Sequence, residues 1–193
     1  MEPNFWLTIG IWLLPRIPRK IRLRFSGDQS PVDGPNLIGF RNRQYPGERA
    51  LPISRFGSMT GSMTGLDTNI LVRYLAQDDP IQSPKANETI ERRLTEDNPG
   101  FVSIVAMAEI VWVLDRAYGL GAHEIAAAVE HILQTEALVV ENEQEVFTAM
   151  IALRAGQGSF SDALIAALGA RMGCSRTLTV DHRALRLPGF ELP

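Results

Sequence analysis

Four carboxylates stand out in this sequence because of their positions relative to the predicted helices and strands. Asp67 follows a short apolar segment, and Glu109 lies within the apolar stretch SIVAMAEIVWVL at residues 103–114. Asp162 lies in the first turn of a predicted helix, and Asp181 follows the β-branched run TLTV. Carboxylates gathered in one cleft repel one another by about 4 kcal/mol at about 4 Å and an effective dielectric near 20. A shared cation would reverse that repulsion.

The donor types indicate which cation this would be. Oxygen ligands without nearby histidine or cysteine select Mg²⁺ or Mn²⁺. The chain has a single cysteine, three scattered histidines and no CxxC pair, which argues against a zinc site and against an internal disulfide. Carboxylates around such an ion fit phosphodiester hydrolysis, because the ion lowers the pKa of an attacking water and offsets the charge developing on the phosphate.

Each acid also has a purely structural interpretation. Asp67 could cap the helix that follows it, Asp162 could favour its helix through the helix dipole by about 0.3–1 kcal/mol, and Asp181 could pair locally with Arg183. Glu109 is predicted to be buried, where an unpaired carboxylate costs several kcal/mol. Its neighbours on the same helix face cannot pair with it, so a metal ion or an arginine from another helix would have to; these neighbours are Val105, Ala106, Trp112 and Val113.

Helical and β-branched segments alternate from Met63 onward. This order predicts an α/β domain, a small and mostly parallel sheet with helices on both faces, and parallel sheets place sites at the carboxyl ends of their strands. The predicted helices are 68–77, 80–96, a helix capped by Ser103 and ended by Gly119, 123–135, 143–155 ended by Gly156, and one capped by Ser161 and ended by Gly173; the predicted strands end at Leu66 and cover 137–140 and 177–180.

Residues 1–62 differ from the rest in composition and charge. They are rich in Gly, Pro, Ser and Arg, without helical or strand periodicity, and hold nine Lys and Arg against four Asp and Glu, whereas residues 63–193 hold ten against eighteen. We interpret 1–62 as a basic extension that is disordered or a mis-assigned start, and 63–193 as the folded domain. The apolar run FWLTIGIWLLP is too short to span a membrane, and its cations follow it, unlike those of a secretory signal. The single cysteine fits a reducing cytoplasm.

Four segments, in this order, resemble the PIN-domain ribonucleases of the VapC toxin type. They are GLDTNILVRYL, SIVAMAEIVWVL, GSFSDALIAALGARMGC and TLTVDHRALRLPGFELP, and the resemblance covers nearly all of residues 63–193. It implies a three-layer α/β/α fold in which Asp67, Glu109, Asp162 and Asp181 hold Mg²⁺ or Mn²⁺ and activate water for endonucleolytic RNA cleavage. Asn69 matches a position that supports such a site by hydrogen bonding. The short strand MTGL and the long basic extension depart from the family pattern.

The resemblance also implies biological partners. It predicts the toxin of a type II toxin–antitoxin pair that inhibits translation by cutting tRNA or ribosomal RNA. A cognate antitoxin with a basic C-terminal tail would insert an arginine among the acids in place of the metal. A homodimer is expected, to which apolar surfaces of AEIVWVL and YLAQ would contribute.

Two observations bear on the alternatives. A receiver-like phosphotransfer module needs a late lysine, and the only lysines are Lys20 and Lys85. A haloacid-dehalogenase-like phosphatase would need a DxD pair where this chain has Asp67-Thr68-Asn69. A non-catalytic PIN-like module that binds RNA or protein stays open. Because residues 63–193 carry a net charge of about −8, RNA contact would need the extension or a local basic strip drawn from Arg73, Arg92, Arg93, Arg154 and Arg183.

Overall fold

The computed structural model describes residues 62–193, so the predicted extension lies outside the described residues except for Ser62. Six α-helices and five short strands alternate along this part of the chain, which confirms the predicted α/β fold with a small parallel sheet between helices. The elements are β1 (Thr64–Gly65), α1 (Thr68–Ala76), α2 (Gln82–Glu88), β2 (Gly100–Val102), α3 (Ile104–Arg116), α4 (Ala122–Gln134), β3 (Leu138–Val140), α5 (Glu143–Arg154), α6 (Phe160–Arg171), β4 (Thr177–Leu178) and β5 (Phe190–Glu191).

The strands pair in parallel and form two ladders. The first has the order β1-β2-β3, with Thr64 opposite Gly100, and the second joins β4 to β5, with Thr177 opposite Phe190. The sequence does not predict β2 or β5. Both are too short, at three and two residues, to display the alternation by which a strand is recognised.

Gly100, the first residue of β2, has leucine side chains packed closely around it. A Cβ atom at this position would lie 2.7 Å from Leu94, 2.8 Å from Leu66 and 2.9 Å from Leu138, all side-chain contacts that are too close. Any larger residue would therefore force the methyl groups of these three buried leucines to shift. Its place after Asn98 and Pro99 makes it look like a turn in the sequence.

Helix α3 begins where the sequence predicts. Ser103 is its N-cap, and the side-chain oxygen accepts a hydrogen bond from the Ala106 amide at 3.1 Å. The Glu141 carboxylate accepts a second one from the Ile104 amide at 2.8 Å, so an anion from the end of β3 also stabilises this helix terminus.

The helix predicted over residues 80–96 is shorter and irregular. The Asp79 carboxylate accepts hydrogen bonds from the Ile81 and Gln82 amides at 2.8 and 2.7 Å, which lower the pKa of Asp79 and set the start of α2. After Glu88 the chain continues as a π-helical turn over Thr89–Arg93, and the Leu94 amide donates to the Thr89 carbonyl at 3.0 Å.

The helices pack around one core. Its largest fully buried side chains come from helices, from the π-helical turn and from β2; they are Phe160, Leu71, Leu75, Ile90, Met107, Ile110, Leu114, Ile132, Met150, Val102, Val129 and Val146. The prediction that YLAQ offers an apolar surface for dimerisation is wrong, because Tyr74, Leu75 and Ala76 are buried in this core. Within residues 62–193, no helix has the length and apolar character to cross a membrane.

Arg73 belongs to a buried polar cluster, so its assignment to an exposed basic strip is wrong. Its Nη1 donates to both carboxylate oxygens of Asp78 at 2.8 Å, and its Nε donates to Gln82 Oε1 at 3.1 Å. The Tyr118 hydroxyl donates to Asp78 Oδ2 at 2.9 Å. The side chains of Arg73 and Asp78 are only 9% and 6% exposed, so this ion pair is buried. The Tyr118 hydroxyl connects the pair, at the C-terminal end of α1, with the segment that follows α3.

A half-buried histidine, His131, makes the free energy of unfolding depend on pH. The His131 ring stacks on Tyr74, with centroids 5.7 Å apart, and burial lowers the pKa of His131 although the charge of Glu91 opposes this. The unfolded chain, with a histidine pKa of about 6.5, then binds more protons than the folded chain. We expect the free energy of unfolding to be highest above about pH 6.5 and to fall as pH drops below it, measured by urea unfolding between about pH 7.5 and 5.5.

A variant pair isolates this effect. His131→Gln should flatten the pH dependence in that window, because it removes the histidine whose pKa is lowered in the folded chain. His123→Gln, at an exposed position of the same helix, should keep the slope of the wild type. Equal slopes for wild type and His131→Gln would contradict the assignment.

Candidate active site

Asp67 stands between β1 and α1, at the carboxyl end of the strand. It occupies the N-cap position, but its side chain makes no capping hydrogen bond, so the interpretation of this carboxylate as a helix cap is wrong. It is exposed, and its Oδ2 accepts a hydrogen bond from Asn69 Nδ2 at 3.1 Å. Asn69 therefore orients the Asp67 carboxylate in an otherwise open position.

Glu109 is exposed, so the prediction that it is buried is wrong. Helix α3 is apolar nearly all round, and its core-facing side is formed by Ala106, Met107, Ile110, Val111 and Leu114. Two of the apolar neighbours that suggested burial, Val105 and Trp112, are themselves 71% and 53% exposed. Glu109 shares this outward face, where water can solvate its charge.

Thr68 connects Glu109 to Asp67. Its hydroxyl donates to Glu109 Oε2 at 2.7 Å, and its residue is 5% exposed, immediately after Asp67 in the chain. The packing of α1 against α3 thus brings Glu109 to the N-terminal end of α1. The sequence alone does not single out Thr68, because LDTN shows a hydroxyl beside an acid but does not show which carboxylate the hydroxyl contacts.

Asp162 lies in the first turn of α6, as predicted, but the predicted cap is wrong. Ser159 is the N-cap, and Ser161 lies inside the first turn with its residue exposed. The Ser159 hydroxyl accepts a hydrogen bond from the Asp162 amide at 3.1 Å and donates to Asp162 Oδ2 at 2.6 Å. Asp162 therefore has a helix-capping role in this structure in addition to any role in catalysis.

Asp181 lies three residues beyond β4, in a turn. Its Oδ1 accepts a hydrogen bond from the Arg183 amide at 2.8 Å, and Arg183 Nε lies 3.9 Å from the same oxygen. The local pairing considered from the sequence is thus present. Both side chains are exposed, at 54% for Asp181 and 88% for Arg183, and such a pair contributes little to stability.

The four acids are suited to a hard divalent cation in donor type. Among residues 62–193, however, no three Asp, Glu, His or Cys side chains lie close enough to form a ready metal site. Mg²⁺ commonly takes only one or two protein carboxylates, keeps several waters and uses substrate phosphates as further ligands. That mode needs no closed cage. Asp67 and Glu109, placed at one end of α1 through Thr68, are the two acids that best fit it.

The basic residues proposed for RNA contact are not equivalent. Arg154 donates to Glu130 at 2.7 Å and is 34% exposed, and Arg93 donates to Glu88 at 2.7 Å with 68% exposure. The hydrogen bond and charge of Arg93 lower the pKa of Glu88. Arg92 and Arg183 are exposed. Of these five arginines, Arg183 is the one placed in the turn that carries a candidate acid.

Comparison with known proteins agrees with this architecture. No curated protein matches the chain. The family model of the PIN domain matches residues 66–189, which is more than half of the 193-residue chain and includes all four acids and Asn69. Together with the parallel sheet and its helices, this match means that the chain belongs to the PIN-domain family, whose members are generally nucleases that hydrolyse nucleic acid.

Proposed function

We propose that this protein is a metal-dependent endoribonuclease and the toxin of a type II toxin–antitoxin pair. The observation that supports the proposal is the hydrogen bond from the Thr68 hydroxyl to Glu109, which brings this carboxylate to the segment that carries Asp67 at the carboxyl end of β1, inside the matched PIN domain. Acting in the cytoplasm, it would cut a tRNA or ribosomal RNA and so inhibit translation. Hydrolysis adds water across the phosphodiester, which leaves a phosphate monoester and a free hydroxyl.

The site residues divide the work of that reaction. Asp67 and Glu109 would hold a Mg²⁺ or Mn²⁺ ion, with Asp162 and Asp181 as the other acids of the set. When bound, the ion lowers the pKa of a water and offsets phosphate charge. Asn69 fixes the direction of the Asp67 carboxylate, and Thr68 fixes that of Glu109. Oriented carboxylates of this kind can accept hydrogen bonds from the attacking water and align it with the phosphorus atom.

The partners follow from the same charges. Exposed carboxylates without a metal suit a guanidinium, so an antitoxin with a basic C-terminal tail would bind here through an arginine. A homodimer is part of the proposal, without an assigned interface. The non-catalytic PIN-like binding module is the alternative, and the presence of all four acids favours catalysis over it.

Metal dependence tests the enzymatic part of the proposal. The full chain, incubated with total RNA and Mg²⁺, should generate discrete new RNA ends; EDTA should abolish them, and excess Mg²⁺ or Mn²⁺ should restore them. The expected loss in EDTA is at least about 100-fold, since the ion activates the water. Unchanged cleavage in EDTA would rule out a metal mechanism. RNA binding without cleavage under all metal conditions would favour the non-catalytic alternative.

Induction in cells tests the toxin part separately. Expression should stop growth and protein synthesis, and co-expression of the protein encoded immediately upstream should relieve the arrest. An active nuclease that leaves growth unaffected would retain the enzyme assignment and remove the toxin assignment.

Thr68→Val tests the hydroxyl that holds Glu109. Valine has nearly the same shape but cannot donate, so we expect a loss of about 10-fold to 100-fold in kcat/KM, the range seen for residues that orient metal ligands. Stability should change by no more than about 1–2 kcal/mol, because water can solvate the exposed Glu109 carboxylate. Thr148→Val is the matched control, since its hydroxyl donates to the Gln144 carbonyl on α5. Equal kcat/KM values in both variants would contradict the role of Thr68.

A further inference from the structure

One face of α3 is exposed although it carries apolar side chains. Val105 is 71% exposed and Trp112 is 53% exposed, and Glu109 and Arg116 are also exposed. These four positions are four, three and four residues apart, so they form one line along the helix. We call this line the α3 ridge. The candidate catalytic acid Glu109 lies within the ridge, between Val105 and Trp112.

We propose that the α3 ridge binds single-stranded RNA next to the cleavage site, with a nucleobase stacked on Trp112 and a backbone phosphate on Arg116. This inference rests on the proposed function, because it takes Glu109, within the ridge, as the place where the strand is cut. It assigns Trp112 and Arg116 as substrate-binding residues that would influence which RNA is cleaved.

Trp112 has the chemistry and position of a stacking residue. Its indole lies one helical turn from Glu109, at a Cβ separation of about 5–6 Å. A tryptophan that is half exposed leaves much of its ring available, and every nucleobase offers a flat surface to it. Base stacking on an aromatic side chain typically changes affinity by about 10-fold to 100-fold and tolerates sequence changes. A base that is paired within a duplex cannot stack in this way, so the contact would select single-stranded regions.

Arg116 lies one turn beyond Trp112. Its side chain is 71% exposed, and its Nε lies 3.3 Å from the Asp115 carboxylate, which is 55% exposed. Such an exposed pair is weak, so a phosphate can replace the carboxylate. Glu109 and Arg116 are about 10 Å apart along the helix axis, a length that about three nucleotides of a stacked strand cover. A local cation matters in a domain whose net charge is about −8.

A second copy of the chain fits this surface less well than RNA. A two-fold interface brings the same patch of both copies together. In such an interface each copy would contribute two carboxylates, those of Glu109 and Asp115, but only one guanidinium, that of Arg116. Within the ridge, only Val105 and Trp112 would supply apolar area. Standard interfaces bury about 800 Å² per partner, whereas one large aromatic side chain buries about 150–250 Å². The alternation of acid, aromatic ring and cation instead matches a cut phosphate, a base and a further phosphate.

Intrinsic fluorescence provides a direct test in the full chain. Trp6→Phe and Trp12→Phe leave Trp112 as the single tryptophan, and Asp67→Asn keeps the RNA intact. A single-stranded oligoribonucleotide of about ten nucleotides should quench Trp112, and the same sequence in a duplex should not. In fluorescence-anisotropy binding with Trp12 and Trp6 restored, Trp112→Ala should raise Kd about 10-fold or more, and Trp112→Tyr should recover most of the affinity.

Two further variants separate the cation from general charge effects. Arg116→Gln should raise Kd and reduce the slope of log Kd against log salt concentration by about one. Arg176→Gln is the matched control, because it removes the same charge and a similarly exposed ion pair, 3.5 Å long with Glu191, before the start of β4. Met172→Ala, at the end of α6 opposite Asp162, is the apolar control and should leave Kd unchanged.

The outcomes distinguish this inference from the proposed function. Normal RNA affinity and kcat/KM in Trp112→Ala would overturn the ridge while leaving the nuclease intact. A change of oligomeric state in Trp112→Ala with unchanged RNA affinity would make the ridge a contact between copies and would also overturn the inference. Binding and quenching without cleavage of any RNA under any metal condition would retain the ridge as an RNA-binding surface and remove the nuclease assignment.

Discussion

Asp67→Asn is expected to abolish RNA cleavage and growth arrest while the protein stays folded. Asparagine keeps the size of the side chain and can still contact Asn69, but it removes the charge that would bind a cation and the basicity that would accept a proton. Loss of a group with either role typically costs about 100-fold to 10,000-fold in rate. The Asp67 side chain makes no capping hydrogen bond and is exposed, so the substitution removes no packing.

The measurement is kcat/KM on an RNA substrate, together with a thermal unfolding curve of the same preparation. Asp97→Asn is the control, because it makes the same chemical change at an exposed acid in the turn before β2. It should keep full activity. Full activity in Asp67→Asn would exclude Asp67 from catalysis, and a lowered unfolding temperature would mean that the loss of cleavage comes from the fold.

The other acids make the interpretation stricter. Asp162→Asn should also lose activity, but its bond with the Ser159 hydroxyl means that some loss can come from the start of α6. Asp181→Asn distinguishes two roles of Asp181. If Asp181 only accepts a hydrogen bond from the Arg183 amide, the variant retains RNA cleavage. If Asp181 belongs to the acidic set, the variant loses cleavage as Asp67→Asn does.

How much of the structure can be predicted from the sequence depends on whether the interaction is local or joins distant segments. Ser103 could be identified as a cap because capping is local and its partner is three residues away. The sequence predicts Ser161 as the cap of α6, but Ser159 offers the same chemistry two residues earlier and is the actual cap, and only the backbone conformation distinguishes the two serines. Strand β2 could not be recognised because its three residues are held by pairing on both sides and by close packing at Gly100.

Burial was the property that the sequence predicted least well. Val105 and Trp112 are apolar yet exposed. The apolar neighbours of Glu109 therefore do not indicate which face of α3 packs against the core. Arg73 is charged yet buried, because Asp78 and Tyr118 come together around it through tertiary contacts. Asp67, Asp162 and Asp181 are candidates because of their places at strand and helix ends, and Glu109 is a candidate because it is charged within an apolar helix. The hydroxyl of Thr68, which connects two of them, depends on how α1 packs on α3.

Arg73→Met is expected to destabilise the fold by about 3–5 kcal/mol, the cost of leaving a buried carboxylate without its partner. The substitution keeps the length of the stem but removes both hydrogen bonds to Asp78, whose side chain is only 6% exposed. Burial lowers the pKa of Arg73, but the hydrogen bond and charge of Asp78 raise it by more, so the guanidinium stays charged. Burial, together with the hydrogen bond to Asp78, raises the pKa of the Tyr118 phenol, which therefore remains a donor to that carboxylate.

Urea unfolding of the full chain, with a double variant, distinguishes two quantities. One is the net contribution of the Arg73–Asp78 ion pair to the free energy of unfolding, and the other is the cost of leaving one of its charges unpaired. Arg73→Met combined with Asp78→Leu removes both charges and should recover most of the lost stability, since apolar groups can replace a buried ion pair at little cost. Arg93→Met is the control for an exposed pair, because Arg93 donates to Glu88 at the surface, and it should unfold like the wild type. If the double variant is as unstable as Arg73→Met, the instability comes from lost packing of the arginine stem and the hydrogen bond to Gln82, and the uncompensated carboxylate is not its cause.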